Sequence, residues 1–250
     1  SPRLRIGCYD VNVWKRLMEF YTSVHPIGDR IFIRGVENGK RYQRKLEFNP
    51  TLYVTSQKPS KWKTLEGTFV DEVQPGTIKD TREFIKRYEG VEGFAVYGNS
   101  NFAYQYISDN YSHDINWDME QIKVFTIDIE TATESGFPDI RAANEEILLI
   151  TVKDLQSKRI ITFGSKAYVN PREDVIYVNC KDEQTLLRHF LDFWVKSYPD
   201  VITGWNTDFF DMPYLIRRIE RELGDGESNK ISPWGFVNRS EEHTSELQSH

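Results

Sequence analysis

The stretch Thr126-Ile-Asp-Ile-Glu-Thr131 alternates apolar and acidic side chains with the period of a β-strand. Residues two apart in a strand lie on the same face, so Asp128 and Glu130 project together while Ile127 and Ile129 face the opposite layer. Two carboxylates at that spacing are suited to a hard, oxygen-seeking cation. A strand with a solvated acidic face explains the same pattern, so both interpretations stay open here.

The chain around this strand alternates between strand and helix patterns. Apolar stripes at helical spacing predict one helix from about Asp182 to Ser197 and another from about Met212. The second helix has Pro213 in its first turn and Gly224 at its end, which are favoured positions for these residues. Strands are predicted at 123–129, 147–153, 159–163, 175–178 and 201–203. Strands that alternate with helices predict an α/β layer fold.

The N-terminal part of the chain, up to about residue 116, is mainly β in pattern. Asn38-Gly39 predicts a tight hairpin between strands at 30–34 and 42–48, because both residues tolerate positive φ. A capping box at Thr77-Ile-Lys-Asp80 predicts a helix that ends at Gly90. Further strands are predicted at 94–97 and 102–107. The positive charges of the hairpin indicate either a solvated face or an edge that faces phosphate groups.

A second acidic stretch, Ile202-Thr-Gly-Trp-Asn-Thr-Asp-Phe-Phe-Asp-Met-Pro-Tyr214, leads from a predicted strand into a predicted helix. Asp211 directly precedes that helix, at a position where aspartate commonly caps the first turn. Asp208 is then an acid of a surface loop. A metal ligand at Asp211 is the alternative, and this stretch alone leaves the choice open.

The two acidic stretches match one known family as an ordered pair. Asp128-Ile-Glu130, followed 83 residues after its aspartate by the last acid of Asn-x-x-x-Phe-Asp, resembles exonuclease motifs I and II of family B DNA polymerases. The wider context, Thr203-Gly-Trp-Asn206 and Phe210-Asp-Met-Pro-Tyr214, is similar to the replicative polymerases of T-even-type bacteriophages. Tyr106-Ile-Ser-Asp-Asn-Tyr111 is similar to the N-terminal domain of that group, and the resemblance extends from 18 to about 238.

The resemblance implies an α+β N-terminal domain followed by an incomplete RNase H-like domain, α/β overall, that removes mismatched 3′-terminal nucleotides. In this family the hydrolysis uses two metal ions, so Mg²⁺ is the expected cofactor and Mn²⁺ a possible substitute. Asp128 would bridge both metals, Glu130 would hold the metal that activates water, and Asp211 would support the other. Asn206 would position the turn or the DNA strand, and Phe210 would contact the DNA. Arg217, Arg218 and Arg221 would form a solvated helix face or contribute to a positive groove. Clustered carboxylates repel one another, so at least one is expected to have a raised pKa without metal.

The same resemblance implies a parent protein that is a replicative DNA-directed DNA polymerase with 3′–5′ proofreading. Its expected partners are single-stranded 3′ ends, primer–template DNA, a sliding clamp and the replisome. The family's third exonuclease motif, Tyr-x-x-x-Asp, does not follow Asp211, and the polymerase motifs are absent from the 250 residues. We therefore expect little or no activity from this piece. A free-standing RNase H-fold 3′–5′ exonuclease and a non-enzymatic nucleic-acid-binding module are the alternatives.

Composition and the two ends of the chain set the remaining expectations. A net charge of −6, only two cysteines, no secretory signal and no long apolar run predict a cytoplasmic protein that does not enter membranes. If it is phage-encoded, the compartment is the host cytoplasm. We expect residues 1–17 to be a non-native leader and 239–250 to be translated sequencing adapter. The domains are then 18–116, β-rich, and 117–238, a truncated exonuclease domain.

Overall fold

The computed structural model describes residues 19–112, 114–133 and 136–237. The predicted leader at 1–17 and the predicted adapter-derived segment at 239–250 lie outside these ranges. The described residues divide into two compact units, on either side of a boundary between Gln121 and Ile122. The sequence prediction placed the boundary between 116 and 117, five residues earlier than this division.

The first unit, as far as the structure describes it, contains two antiparallel sheets. The first sheet has the order β1-β2-β3, with β1 at Glu19–Ile27, β2 at Arg30–Glu37 and β3 at Lys40–Glu47. Asn38 and Gly39 join β2 to β3 with φ of 51° and 74°, so the predicted tight hairpin is confirmed. The second sheet has the order β5-β6-β4-β7, built from β4 (Leu52–Thr55), β5 (Trp62–Lys63), β6 (Phe69–Val73) and β7 (Val96–Tyr97).

The described residues of the first unit also form two α-helices, and one of them corrects the sequence prediction. Helix α1, Ile78–Tyr88, begins at the predicted capping box, in which Thr77 and Asp80 each accept a bond from the other's backbone N–H. Residues 102–107, predicted as a strand, instead belong to helix α2, Phe102–Asn110. The buried residues of α2 include Ala103 and Tyr106. Packing of this helical face overrides the β-propensity of its aromatic residues.

Over residues 122–133 and 136–237, the second unit has a mixed five-stranded sheet with helices. Its strand order is β11-β10-β9-β8-β12, in which β8 pairs antiparallel with β9 and β9 with β10, while β10–β11 and β8–β12 are parallel. The strands are β8 (Val124–Thr131), β9 (Ile147–Asp154), β10 (Ile160–Gly164), β11 (Val175–Asn179) and β12 (Val201–Thr203). The helices are α3 (Glu183–Ser197) and α4 (Met212–Leu223). This mixed strand and helix content confirms the α/β prediction.

The core of the second unit lies on one face of this sheet. Ile127 and Ile129 of β8 are buried together with Phe190 and Trp194 of α3 and Leu215 of α4. The indole N–H of Trp194 donates a hydrogen bond to the Ile231 carbonyl at 2.8 Å, in a short 3₁₀-helix at 227–231. The opposite face of β8 therefore carries the acidic side chains. Within the described ranges, no helix is both long and apolar enough to span a bilayer.

Candidate functional site

The acidic pair on β8 has the orientation that the strand period predicts. Asp128 and Glu130 are exposed, whereas Ile127 and Ile129 are buried against the core. In register, Asp128 lies opposite Thr151 of β9 and Glu130 lies opposite Leu149. The two carboxylates therefore share the face of the sheet opposite to α3 and α4.

A break in the β8–β9 register lies beside this pair. Glu130 pairs with Leu149, but the next residue, Thr131, pairs with Ile147, so Leu148 is an extra residue in β9. An extra residue of this kind bends its strand and redirects neighbouring side chains. Nothing in the sequence pattern indicated the break, because the run at 147–150 is apolar throughout.

A tight turn brings the second acidic stretch against β8. Strand β12 runs parallel to β8, with Thr203 opposite Thr126, and Gly204 follows it. A Cβ on Gly204 would lie 2.0 Å from Thr207 Oγ1 and 2.7 Å from the Ile127 carbonyl oxygen. Only glycine allows the backbone to approach this closely. The turn thus presses the start of the next helix onto the acidic strand.

That helix begins with one turn of π-helix at Thr207–Asp211. The Asn206 carbonyl accepts bonds from the Phe209 and Phe210 backbone N–H groups, at 3.2 and 2.8 Å. The wide turn ends at Asp211, whose side chain is only 4% exposed. A π-turn inserted before an α-helix is often associated with a functional site.

The Asp211 carboxylate is directed at β8 and does not cap its own helix. Its Oδ1 accepts a bond from the Ile129 backbone N–H at 3.4 Å, and the side chain makes no capping bond to α4. The simpler of the two sequence interpretations, a helix cap, is therefore wrong. Ile129 lies between Asp128 and Glu130 in the chain, so the structure brings all three predicted acids to one part of β8.

Electrostatics reflect this proximity. Burial raises the pKa of Asp211, and the negative charges of Asp128 and Glu130 raise it further. The bond from Ile129 N–H acts in the opposite direction but does not reverse the shift. The carboxylate with the raised pKa is therefore the buried one, and its burial contributes more to the shift than the repulsion between the acids.

Helix α4, which follows Asp211, is fixed by two buried polar residues. The Tyr214 hydroxyl donates to the Glu145 carbonyl oxygen at 2.7 Å. Arg218 forms a bidentate pair with Glu183 of α3, at 2.7 and 2.6 Å, and donates to the Ala143 carbonyl at 2.9 Å. Both members of the pair are almost completely buried. These contacts hold the helix, and with it Asp211, against the segment that precedes β9.

Arg218 corrects the sequence interpretation of this helix. We expected Arg217, Arg218 and Arg221 to form a solvated face or to contribute to a positive groove. Arg218 does neither, because its guanidinium is enclosed between two helices and a loop. Its spacing from Leu215, three residues earlier and on the apolar stripe, was the available signal.

The two residues predicted to contact DNA have different surroundings. Phe210 is 9% exposed and packs against Phe137 and Tyr214, with ring centroids 4.6 and 5.4 Å apart. Asn206 is half-buried and its backbone carbonyl anchors the π-turn. Sequence reasoning missed the exposed aromatic rings beside them, Trp205 and Phe209. The run Gly-Trp-Asn was visible, but a sequence pattern does not reveal which ring is exposed.

The donor chemistry of the three acids suits a hard cation, since all their ligand atoms are carboxylate oxygens. Over the described parts of the chain, however, no group of three or more His, Cys, Asp or Glu side chains converges closely enough to hold a metal ion. The side chains of Asp128 and Glu130 are exposed and so have room to change rotamer. The three acids therefore have the right ligand chemistry for a divalent cation. Their side chains must rearrange before they can bind it together.

Comparison with known proteins extends this description beyond the local site. Residues 96–249 match the family model for DNA polymerase family B, exonuclease domain. The DNA-directed DNA polymerase of Escherichia phage RB69 is 29% identical over 245 residues, covering 87% of this chain and 27% of the relative. That of Enterobacteria phage T4 is 30% identical over 247 residues, covering 88% of this chain and 27% of the relative. The chain thus spans about a quarter of the length of these phage relatives.

A solved structure gives the same result for the fold. The family B DNA polymerase from the hyperthermophilic archaeon Pyrobaculum calidifontis superposes with a TM-score of 0.57 at 19% identity, covering 84% of this chain and 32% of that one. At this identity the likeness concerns the fold alone. The family model, in contrast, covers more than half of the sequence, including both acidic stretches. The chain belongs to DNA polymerase family B and includes sequence from the exonuclease domain of that family.

Proposed function

We propose that this chain contributes to the 3′–5′ proofreading exonuclease of a replicative DNA polymerase, with Asp128, Glu130 and Asp211 as its metal-binding carboxylates. One observation supports this above the others. The buried Asp211 carboxylate approaches β8 at Ile129, between the two exposed acids, although 82 residues of sequence separate the bonded pair.

The three acids have different roles in this proposal. Asp128 and Glu130 would bind divalent cations from the exposed face of β8, and Asp211 would bind from the buried side. Mg²⁺ is the proposed cofactor, with Mn²⁺ as substitute, and it would supply charge stabilisation and a water of lowered pKa. The Ile129 N–H and the burial of Asp211 keep its carboxylate in place before any cation binds. Asn206, just before the π-turn, would position the turn or the DNA strand, and Phe210 would contact DNA only through the 9% of its surface that stays exposed.

The substrate proposed for this site is the single-stranded 3′ end of DNA. The phage relatives are DNA-directed DNA polymerases, and this chain matches about a quarter of their length. Primer–template DNA, a sliding clamp and the other replisome proteins are proposed partners of the longer protein. We further propose a cytoplasmic location, in the host cell if the protein is phage-encoded. Because no Tyr-x-x-x-Asp follows Asp211, we expect these 250 residues by themselves to have little or no nuclease activity.

Calorimetric titration of the chain with Mg²⁺ and Mn²⁺ tests the metal site. We expect a binding heat that is lost in Asp128→Ala and retained in Asp192→Ala, which removes an exposed carboxylate from α3. Metal binding should also release protons, because the carboxylate set must be fully ionised to bind. Equal heats in both variants would contradict the site. Salt-sensitive DNA binding that is indifferent to Mg²⁺ would instead favour a non-enzymatic binding module.

A further inference from the structure

The face of the sheet that carries Asp128 and Glu130 also has a cavity of about 440 Å³ over β9, β10 and β11. We call it the tyrosine pocket. Its lining includes Leu149, Thr162, Lys166, Tyr168, Arg172 and Tyr177. A cavity of this size, with a mainly apolar and aromatic lining and few polar groups, is typical of a site for a small organic ligand.

Glycine makes room for the tyrosine that forms the floor of the pocket. A Cβ on Gly164 would lie 2.2 Å from the Tyr177 hydroxyl oxygen and 2.7 Å from Leu149 Cδ2. Without a side chain at 164, Tyr177 lies across β10, and its hydroxyl donates a bond to the Lys166 carbonyl. That bond ties the loop after β10 to β11.

The other side of the pocket is an exposed tyrosine on this loop. Tyr168 packs edge-on against Tyr177, with ring centroids 5.4 Å apart and an interplanar angle of 63°, yet 59% of its surface stays accessible. The Asn170 side chain stabilises the loop by donating to the Arg172 carbonyl at 2.8 Å and accepting from the Arg172 N–H at 3.0 Å. The exposed ring is thus positioned by its contact with Tyr177, on a loop that the Asn170 side chain stabilises.

Two cations lie at the opening of the pocket. Lys166 is exposed, and Arg172 forms an exposed ion pair with Asp174 at 2.6 Å. An exposed pair of this kind contributes little to stability, so its guanidinium is able to exchange Asp174 for another anion at small cost. The opening therefore offers positive charge next to an accessible aromatic ring.

The strand register places this pocket in line with the candidate catalytic acids. Asp128 is opposite Thr151, Thr151 is opposite Thr162, and Thr162 is opposite Tyr177. Paired residues share a face, and neighbouring strands are about 4.8 Å apart, so Tyr177 is roughly 14 Å from Asp128 along this row. Leu149, which borders the pocket, is itself the partner of Glu130. A strand of DNA with its 3′ end at the acids reaches this distance within a few nucleotides.

We propose that the tyrosine pocket binds one nucleotide, with the base on Tyr168 and Tyr177 and the phosphate at Lys166 and Arg172. This inference rests on the proposed function, because it places that nucleotide upstream of a 3′ end held at Asp128 and Glu130. Aromatic rings accept any base by stacking, and the adjacent cations bind the phosphate without reading sequence. The same chemistry would accept a free nucleoside monophosphate, the product of the proposed hydrolysis.

Photo-crosslinking of the full chain in EDTA tests the pocket directly. The probes are oligothymidylates with 4-thiothymidine at successive positions from the 3′ end, and the adducts are mapped by mass spectrometry. We expect an internal position to crosslink to Tyr168 or Tyr177. Thymidine 5′-monophosphate as competitor separates the two sources: strong competition identifies the free product as ligand, and weak competition identifies a nucleotide within the strand. No adduct at either tyrosine from any position would overturn the proposal.

Variants make the test quantitative. Tyr168→Ala should weaken oligonucleotide binding about tenfold, in the range measured for loss of one stacking partner. Tyr104→Ala is the control, because Tyr104 is 63% exposed but belongs to the first unit. Lys166→Glu, at an exposed position, provides a second variant that does not disturb packing and should also weaken binding. Parent-like affinity in both pocket variants, or binding of an apolar dye but no nucleotide, would overturn the assignment.

The metal-free condition separates this inference from the proposed function. Asp128→Asn should lose the Mg²⁺ heat but keep the crosslink at the tyrosines, because the pocket residues do not include the acids. A chain that binds metal at Asp128 yet shows no crosslink would refute the pocket alone. A chain that shows the crosslink but binds no metal would refute the metal site alone.

Discussion

The carboxylate of Asp211 accepts a hydrogen bond from the backbone N–H of Ile129 at 3.4 Å, across 82 residues of sequence. This bond joins the end of the π-turn to β8, between the two exposed acids. It leaves Asp211 buried, which raises its pKa, and the nearby charges of Asp128 and Glu130 raise it further. In the absence of a cation, this arrangement costs stability, because an ionised carboxylate is buried near two others.

Asp211→Asn is therefore expected to raise the free energy of unfolding in EDTA. The amide oxygen still accepts from Ile129 N–H, while the buried charge is removed. Excess Mg²⁺ should make the parent more stable than Asp211→Asn, because the ion binds only the folded state of the parent. Urea unfolding with and without Mg²⁺ measures both effects. Asp208→Asn, at an exposed position of the same π-turn, is the control. A lower stability of Asp211→Asn in EDTA would contradict this explanation.

Gly204→Ala should destabilise the second unit by roughly 1–3 kcal/mol, as for other insertions into a packed site. The added Cβ meets Thr207 Oγ1 at 2.0 Å and the Ile127 carbonyl at 2.7 Å. The double variant Gly204→Ala/Thr207→Ala should recover part of the loss, since it removes the side-chain clash but not the backbone one. Thermal unfolding of Gly204→Ala, Thr207→Ala and the double variant measures these effects, and Thr207→Ala shows what the loss of the Thr207 side chain costs by itself. If Gly204→Ala leaves the stability unchanged, the turn is not tightly packed.

Alkaline pH should weaken the fold through Tyr214. Burial, followed by the bond and charge of Glu145, raises the pKa of Tyr214 to about 12, compared with about 10 for an exposed tyrosine. A raised pKa means that the folded state favours the neutral phenol. Its contribution is complete below about pH 10 and is lost as the pH rises through about 12. Tyr214→Phe should remove this part of the pH dependence, whereas Tyr104→Phe, at an exposed tyrosine, should not. Urea unfolding at a series of alkaline pH values checks it.

Periodicity and local chemistry predicted a large part of this structure. The two-residue period gave the correct faces for Asp128 and Glu130, and Asn38-Gly39 gave the correct hairpin. Asp182 begins α3 as its N-cap, with its side chain accepting from Thr185 N–H. Each of these features depends on interactions within a few residues, so the sequence pattern contains the information.

The features that the sequence did not predict depend on distant partners. The side chain of Asp211 had a local alternative, a helix cap, and the choice was made by Ile129 on another strand. Residues 102–107 have β-propensity, but their packing against the first unit's core makes them helical. Arg218 is buried because Glu183, 35 residues earlier, meets it there. Local propensity carries no information about such tertiary contacts.

Arg218 and Glu183 offer the strongest test of how α4 is held. Arg218→Ala should cost about 3–5 kcal/mol, because it leaves the Glu183 carboxylate buried without its charged partner. Arg217→Ala, one residue earlier and only half-buried, should change stability by less than about 0.5 kcal/mol. Denaturant unfolding gives both values.

The double variant Arg218→Met/Glu183→Gln separates the charge from the packing. It removes the charges of Arg218 and Glu183 while keeping the side-chain volume. In the parent, the Ile147 N–H donates to the Glu183 carboxylate at 2.8 Å, and the oxygen of the introduced amide can still accept that bond. We expect it to be clearly more stable than Arg218→Ala, as replacing a buried pair by uncharged groups of similar volume often costs little. If the double variant is as unstable as Arg218→Ala, the bonds from Arg218 to the Ala143 and Asn144 carbonyls and its ion pair with Glu222 at 3.2 Å hold the helix more than the pair with Glu183 does. The Mg²⁺ heat of the same variant then reports whether the position of α4, and so of Asp211, is what the metal site requires.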